Sequence, residues 1–385
     1  MIIPNHNYEK TLRACLESVY AQTLRPLDVV VVDDASTDGS RDIARTFPCV
    51  LVARPENGGV SAARNLGVAA SSGHVLFFLD SDIALAPDAI ENAVDLLMDD
   101  PETGCVHGVL DPEPLFDDGP VEVYHCLHAH FWRRRSAGVV GTAFFALAAI
   151  ERSVFEATGP FDENLRDSED VEYSDRLAAT HRIRLSERVT GRHDDVDRLL
   201  PMLAEQYRRS QLLVPVAAVE RRRGGGLRAN RTGGVLAAGL VPLTLPLALL
   251  TPWLLAVPLA CAAAFALADV GLSRFVARRK GWLFLLRFTA LHFAVHLALV
   301  LGAVAGGVRW LVDPGFGPSA PTPPDSSCPC SPGGSSSWTA VPPPVPATPP
   351  ASSSSASSAS SSPAGSGASS PTSSSARPSA SPPSG

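Results

Sequence analysis

Six residues, Phe77-Phe78-Leu79-Asp80-Ser81-Asp82, end an apolar run in two carboxylates one residue apart. Such a pair at a strand end suits a hard divalent cation, Mg²⁺ or Mn²⁺, which takes oxygen ligands and in turn grips phosphate oxygens. A cation held there would neutralise charge on a departing nucleoside diphosphate and lower the barrier to breaking a sugar–phosphate bond. Asp-x-Asp alone is common, so its company matters. Val29 to Val32 lead into Asp33-Asp34-Ala35-Ser36-Thr37-Asp38-Gly39-Ser40. Here Asp34 is placed to accept a hydrogen bond from a base N–H, while Ser36, Thr37 and Asp38 read as turn and cap residues. Further on, Ser168-Glu169-Asp170-Val171-Glu172 reads as an acidic first turn of a helix, which the helix dipole favours.

Short β-rich runs and amphipathic helices alternate from Met1 to about Arg192, the pattern of an α/β domain with a mostly parallel sheet. Asp28 to Val32, Val50 to Ala53 and Val75 to Leu79 are the strand runs. Leu12, Cys15, Leu16, Val19 and Tyr20 fall at helical spacing, as does Val60 to Ala70. Each strand run ends in polar residues, and carboxyl ends of strands form the ligand crevice in open α/β sheets. Gly138 to Ile150 reads as a later strand followed by a helix, and the chain reads helical from Asp194 through Glu220.

Four segments in this order resemble the amino-terminal motifs of the inverting family 2 glycosyltransferases with a GT-A fold. They are Ile2-Ile3-Pro4-Asn5-His6-Asn7, Asp33-Asp34-Ala35-Ser36-Thr37-Asp38, Asn57-Gly58-Gly59-Val60-Ser61-Ala62-Ala63-Arg64-Asn65-Leu66-Gly67 and Phe78-Leu79-Asp80-Ser81-Asp82. The resemblance covers residues 1–220 and implies a Rossmann-like mixed sheet that binds a nucleotide-sugar. It puts Pro4 and Asn7 in the nucleotide pocket, Asp34 on the base, Arg64 near the nucleotide, and Asp80 and Asp82 on ribose and metal. For Arg64 a surface ion pair with Glu56 is the alternative. The Glu169-Asp170 segment resembles the stretch whose Asp takes the proton from the acceptor hydroxyl, a group that inversion by direct displacement requires. His193 stands where some relatives bring a histidine to the metal or diphosphate, and a plain loop histidine is the other reading. His125, His128 and His130 have helical spacing, but no carboxylate or Cys pattern completes a metal site, so they read as structural. Gln206-Tyr207-Arg208-Arg209-Ser210 resembles the Gln-x-x-Arg-Trp segment of processive polysaccharide synthases except that Ser210 replaces Trp, which favours addition of one or a few sugars.

Charge divides the chain. Residues 1–220 hold 20 Lys and Arg against 36 Asp and Glu, and the remainder 12 against 3. The acidic part lacks the basic stripe of a nucleic-acid binder. Seven scattered cysteines show no paired CxxC and no regular framework, and the first four, Cys15, Cys49, Cys105 and Cys126, read as buried thiols of a reducing compartment. Arg outnumbers Lys 30 to 2, a bias of GC-rich bacterial genomes. The short first strand, with no signal peptide, fits a late start codon and a cytoplasmic catalytic domain.

Residues 221–312 read as a helical membrane module. The 35 charge-free residues Gly234 to Ala268 suggest a hairpin turning near Thr251-Pro252, followed by a basic interfacial link over 272–287 and a span over 288–311. Arg221 to Arg223, Arg228 and Arg231 on one flank and Arg274, Arg278, Arg279 and Lys280 on the other face the cytoplasm by the positive-inside rule. The Ser/Pro/Ala-rich tail, residues 313–385, reads as disordered. Together these features suggest a multi-pass protein of the bacterial cytoplasmic membrane that moves a sugar, expected from a UDP-sugar, to a lipid-linked or cell-envelope acceptor. Polyprenyl-phosphate sugar synthesis, nucleotidyl transfer and a non-catalytic scaffold are the alternatives. For nucleotidyl transfer, the Gly-rich phosphate loop is missing after the first strand.

Overall fold

Period-two burial in the first strands fixes the architecture: along β1 (Ile2–Asn5) Ile2 and Ile3 enter separate apolar clusters, and so do Phe78 and Leu79 of β4 (Val75–Leu79). A strand with both faces apolar needs cover on both sides. One side is covered by α1 (Leu12–Tyr20) and α4 (Ala89–Met98), through Leu12, Leu16, Ile90 and Leu97. The other holds a ring cluster in which Phe161 and Tyr173 stack at 4.3 Å between centroids and Phe145 meets Tyr173 edge-on at 5.0 Å.

The computed structural model describes residues 1–165, 168–214, 232–313 and 316. Its sheet runs β3-β2-β1-β4-β8-β6-β9-β5, with β7 paired to β9. The first four, which include β2 (Val30–Asp33) and β3 (Val50–Ala53), are parallel. The sheet then becomes mixed: β8 (Leu147–Glu151) lies antiparallel to both β4 and β6 (Thr103–Leu110), β6 is parallel to β9 (Arg182–His193), and β5 (Ile83–Leu85) and β7 (Gly138–Val140) run antiparallel to β9. The expected single strand over Gly138 to Ile150 is two strands, β7 and β8, followed by α6 (Arg152–Thr158). Sequence reading also passed over β6 and β9. β6 carries Gly104 and Gly108, where a Cβ would run into the His181 side chain and the Val189 carbonyl, and β9 is rich in arginine, so neither has an apolar signature. Pairing on both sides, rather than propensity, makes them strands.

The remaining helices of this part are α2 (Ser40–Arg45), α3 (Val60–Ala69), α5 (Pro120–Arg135), α7 (Glu169–Ala178) and α8 (Leu199–Ser210). Beyond them α9 (Thr232–Thr244) and α10 (Ala256–Leu267) pack together as the expected hairpin, turning at an extended Thr251 with φ −160°. Prolines break it up: the segments Leu245–Leu249 and Pro252–Leu255 are 3₁₀ turns. Neither helix reaches the length of a full span. Among the described residues only α11 (Val270–Val312) is long and apolar enough to cross a membrane, so the expected multi-pass arrangement is not what these helices display.

α11 is two helical segments that meet at Gly281, whose φ of 83° is non-helical, so this break falls inside the expected link over 272–287. Lys280, just before the kink, donates to Glu113 at 2.6 Å. Past it, Gly302 and Gly306 let α11 lie against α8, because a Cβ at either would collide with the Tyr207 or Gln211 carbonyl. The cluster Arg221 to Arg223, Arg228 and Arg231 and all of the 313–385 tail except residues 313 and 316 lie outside the described residues.

Candidate active site

β2, β1 and β4 are neighbours and parallel, so the loops that follow them open on one crevice. Among the described residues, three that are not glycine have positive φ, each near the end or start of an element: Asn7 (62°) after β1, Ala35 (60°) after β2 and Ser168 (80°) at the start of α7. Backbone of this kind costs free energy and persists where the surroundings over-determine it. Asn7 is fixed from the β2 loop, its Oδ1 accepting from Thr37 N at 2.8 Å and its N–H donating to Ser36 Oγ at 3.0 Å. Pro4 is buried within β1, in register with Val32. Ser36 and Thr37 donate their backbone N–H groups to Asp33 and Asn7, and Asp38 accepts from Ser40 N–H; these are turn contacts, and the expected cap is not made, since Gly39 is the N-cap of α2 with no side-chain cap.

Asp34 is 3% exposed and fully engaged. It accepts from Arg54 at 3.0 Å and from the backbone N–H groups of Gly58 (3.0 Å) and Gly59 (2.8 Å). Gly59, with φ 89°, turns the chain into α3. Asp34 therefore positions that helix, and its neighbour Asp33 is likewise bound by Asn5, Ser36 and Arg41.

The aim of α3 puts Arg64 inside the protein, 2% exposed, with its guanidinium over the Phe161 ring at 5.5 Å. It reaches three carboxylates from two distant stretches: Asp80 at 3.3 Å, Glu169 at 3.3 Å and Asp170 at 3.0 Å. Glu56 is not its partner. Asp170 is held from the other side by Phe145 N–H at 3.2 Å. Burial pushes its carboxyl up; Arg64 opposes this while Glu169 and Asp80 add to it, leaving the pKa at about 6. A carboxylate with that pKa is ionised at neutral pH yet basic enough to take a proton. Burial also raises Asp80, Arg64 opposing and the charge of Asp82 reinforcing.

Asp82 is 9% exposed, and its Oδ1 is buried with no hydrogen-bond partner among the described residues. Its Oδ2 faces His193 Nε2 at 3.4 Å. Burial acts to lower the His193 pKa, but hydrogen bonds to Asp195 and Asp82 outweigh it and raise it to about 10. The imidazolium thus supplies a positive charge beside an under-coordinated carboxylate. The orphaned buried carboxylate oxygen of Asp82 and the carboxylate two residues away are hard ligands suited to a divalent cation, and His193 could join them only by giving up its Nε2 proton to the incoming ion. His193 continues outward through Asp195 Oδ2 at 3.1 Å, which His125 Nδ1 also meets at 2.5 Å.

Asp195 was not foreseen, and His125, read as structural with no carboxylate near it, instead meets the Asp195 carboxylate, which a distant segment brings to it. The other two histidines of α5 turn elsewhere, His130 to the Leu110 carbonyl and His128 onto the Tyr124 ring, which bears out their structural reading. Another acidic group, Asp118, Glu122 and Asp194, is close-set, but Lys10 already bridges Asp118 and Asp194. Ser210 is 2% exposed against Gly302, so the close approach of α11 leaves no space for a tryptophan there.

Residues 1–156 match the family model described as Glycosyl transferase family 2. The chain is 41% identical over 95 residues to glycosyltransferase GlyA of Streptococcus pneumoniae, a match covering 24% of this chain and 14% of that one. It is 33% identical over 104 residues to the glycosyltransferase YibD of Escherichia coli, covering 26% and 30%. The chain thus spans less than a third of the length of these curated relatives. Among solved structures it is similar to a mannosyltransferase from Pyrobaculum calidifontis in complex with GDP-Man and Mn²⁺, at 26% identity and TM-score 0.48, over 79% of this chain and 85% of that one.

Proposed function

For a chain whose amino-terminal domain belongs to glycosyl transferase family 2, we propose transfer of a sugar from a nucleotide-sugar, a UDP-sugar in our reading, to a lipid-linked or cell-envelope acceptor with inversion at the sugar carbon. The observation that carries this reading is the meeting at Arg64 of Asp80, from β4, with Asp170, from α7. In this assignment Asp170 takes the proton of the acceptor hydroxyl as its oxygen attacks the anomeric carbon, and the bond from that carbon to the diphosphate breaks, releasing the nucleoside diphosphate. Asp82, Asp80 and His193 would hold a Mg²⁺ or Mn²⁺ ion, which when bound offsets the charge developing on the leaving diphosphate. Pro4, Asn7 and Asp34 shape the nucleotide pocket, Asp34 indirectly, by fixing the loop that starts α3. Arg64 keeps the donor side and the base side in register and tempers the basicity of Asp170.

Membrane attachment through α11, with the catalytic domain on the cytoplasmic face of a bacterial membrane, belongs to the same proposal. So does the division into a transferase domain over residues 1–220 and a membrane module over 221–312. A panel of nucleotide-sugars incubated with the full chain, with and without chelator, tests it by release of free nucleoside diphosphate. Release from one donor class that the chelator abolishes is expected. Release that is indifferent to chelator removes the metal assignment, and no release from any donor removes the enzyme reading.

A further inference from the structure

A cavity of about 630 Å³ opens beside Asp82 and His193, between α5, α8 and α11. Its walls differ in chemistry. Asp82, His193 and Asp195 bound it where the reaction is placed, while Val295 and Leu299 of α11 give it an apolar wall on the helix long enough to cross a membrane. Arg133, from the last turn of α5, also lines it.

Arg133 differs from most basic residues around it, and from Arg135, which also lacks an ion pair among the described residues but is exposed over the Phe131 ring, in being half-buried at a cavity wall. Arg134 pairs with Glu187 at 2.7 Å, Arg209 with Glu205 at 2.5 Å, and Lys280 with Glu113 at 2.6 Å. The half-buried Arg133 makes no hydrogen bond or ion pair through its guanidinium among the described residues, and lies over the Phe144 ring at 4.7 Å. The next residue, Phe145, gives Asp170 its backbone hydrogen bond. The fork of Arg133 therefore lies on an aromatic face in the loop that hydrogen-bonds the base, its donors making no hydrogen bond among the described residues. The charges of Asp195 and Asp170 act on this guanidinium without a direct ion pair, which leaves its donors open to an oxyanion, and its planar geometry matches phosphate oxygens.

We infer that this cavity takes the acceptor as an amphiphile, a phosphate-bearing head group bound by Arg133 with an apolar chain along Val295 and Leu299 of α11. The inference rests on the transferase reading above and sharpens its acceptor side. The length of the apolar wall and the uncommitted fork answer to the two halves of one molecule. Free phosphate would use only the first, and an uncharged alcohol only the second.

Equilibrium binding to the full chain in detergent, read by calorimetry with geranyl phosphate, geraniol, inorganic phosphate and UDP as probes, tests this without requiring turnover. Geranyl phosphate is expected to bind at least about tenfold more tightly than geraniol or inorganic phosphate, the span of one charge-assisted hydrogen-bonding group. Arg133→Met, which keeps the stem over Phe144, should erase the advantage of geranyl phosphate over geraniol and leave UDP binding unchanged; Arg133→Lys should retain part of it. Leu299→Gln should weaken geranyl phosphate and not inorganic phosphate. An unchanged geranyl phosphate to geraniol ratio in Arg133→Met overturns the inference. So does an equal loss of UDP affinity in a variant that melts like the parent, because the anion would then be the donor diphosphate. Absence of nucleoside diphosphate release would count against the transferase reading alone, since these affinities are measured without it.

Discussion

The carboxyl ends of β2 and β4 each carry two aspartates, and the chain treats them differently. After β2, Asp33 and Asp34 are saturated: Asn5, Ser36 and Arg41 attend the first, and Arg54 with two backbone N–H groups the second. After β4, Asp82 keeps an oxygen with no donor, and Asp80 shares its one guanidinium with two acids of α7. Sequence motifs make the two ends look alike. Hydrogen-bond accounting separates them, because a buried carboxylate satisfied by its own chain has little left for a ligand, whereas an under-satisfied one carries a desolvation cost that a ligand relieves.

Substitutions can break that contrast. The largest effect is expected from Asp82→Ala, a fall of about 10³-fold in nucleoside diphosphate release, as loss of several kcal/mol of leaving-group stabilisation implies. Its melting temperature should hold or rise, since an orphaned charge is removed; a clear fall in thermal melting would show that Asp82 is structural instead. Next comes Asp170→Asn, expected to slow transfer to a hydroxyl acceptor by about 10²-fold. In the parent the rate should climb as pH rises through about 6, where Asp170 loses its proton, and this limb should vanish in the variant. If the variant stays fully active with a phosphate acceptor, the nucleophile was already ionised and the base dispensable, as in a polyprenyl-phosphate sugar synthase.

Asp34→Ala should act on stability first, costing about 2 kcal/mol through three lost charge-assisted contacts and a stranded Arg54, measured by denaturant unfolding. An unaltered unfolding midpoint with lost UDP binding would move Asp34 to the functional class. The smallest effect is a displacement. Arg64→Met removes the cation that lowers the Asp170 pKa, so the acidic limb of the rate profile should move toward neutral pH. A limb that stays in place would mean that Arg64 and Asp170 are not coupled in solution.

Much of the crevice was legible beforehand because its parts are local. β2, β3 and β4 were placed from apolar runs ending in polar residues and α3 from helical spacing; Asp80 and Asp82 were singled out by their place at a strand end, and Asp170 and His193 by resemblance to the family's motifs. What was not legible is relational. Arg64 is one of 30 arginines in the sequence, and nothing in its neighbours distinguishes a surface pair with Glu56 from a buried bridge to Asp80 and Asp170. Arg133 sits in a run of three arginines, and the fold alone makes it the half-buried one that lines the cavity.

By itself, then, the sequence determined the alternating α/β order, the acidic strand ends and the apolar module, since side-chain periodicity and backbone preference act over a few residues. Which carboxylates are satisfied, which arginine bridges and which is left uncommitted, and that α11 lies against α8 through Gly302 and Gly306, only the tertiary structure decided. Those outcomes depend on which groups from distant segments arrive within hydrogen-bonding distance, and no local preference encodes such distances.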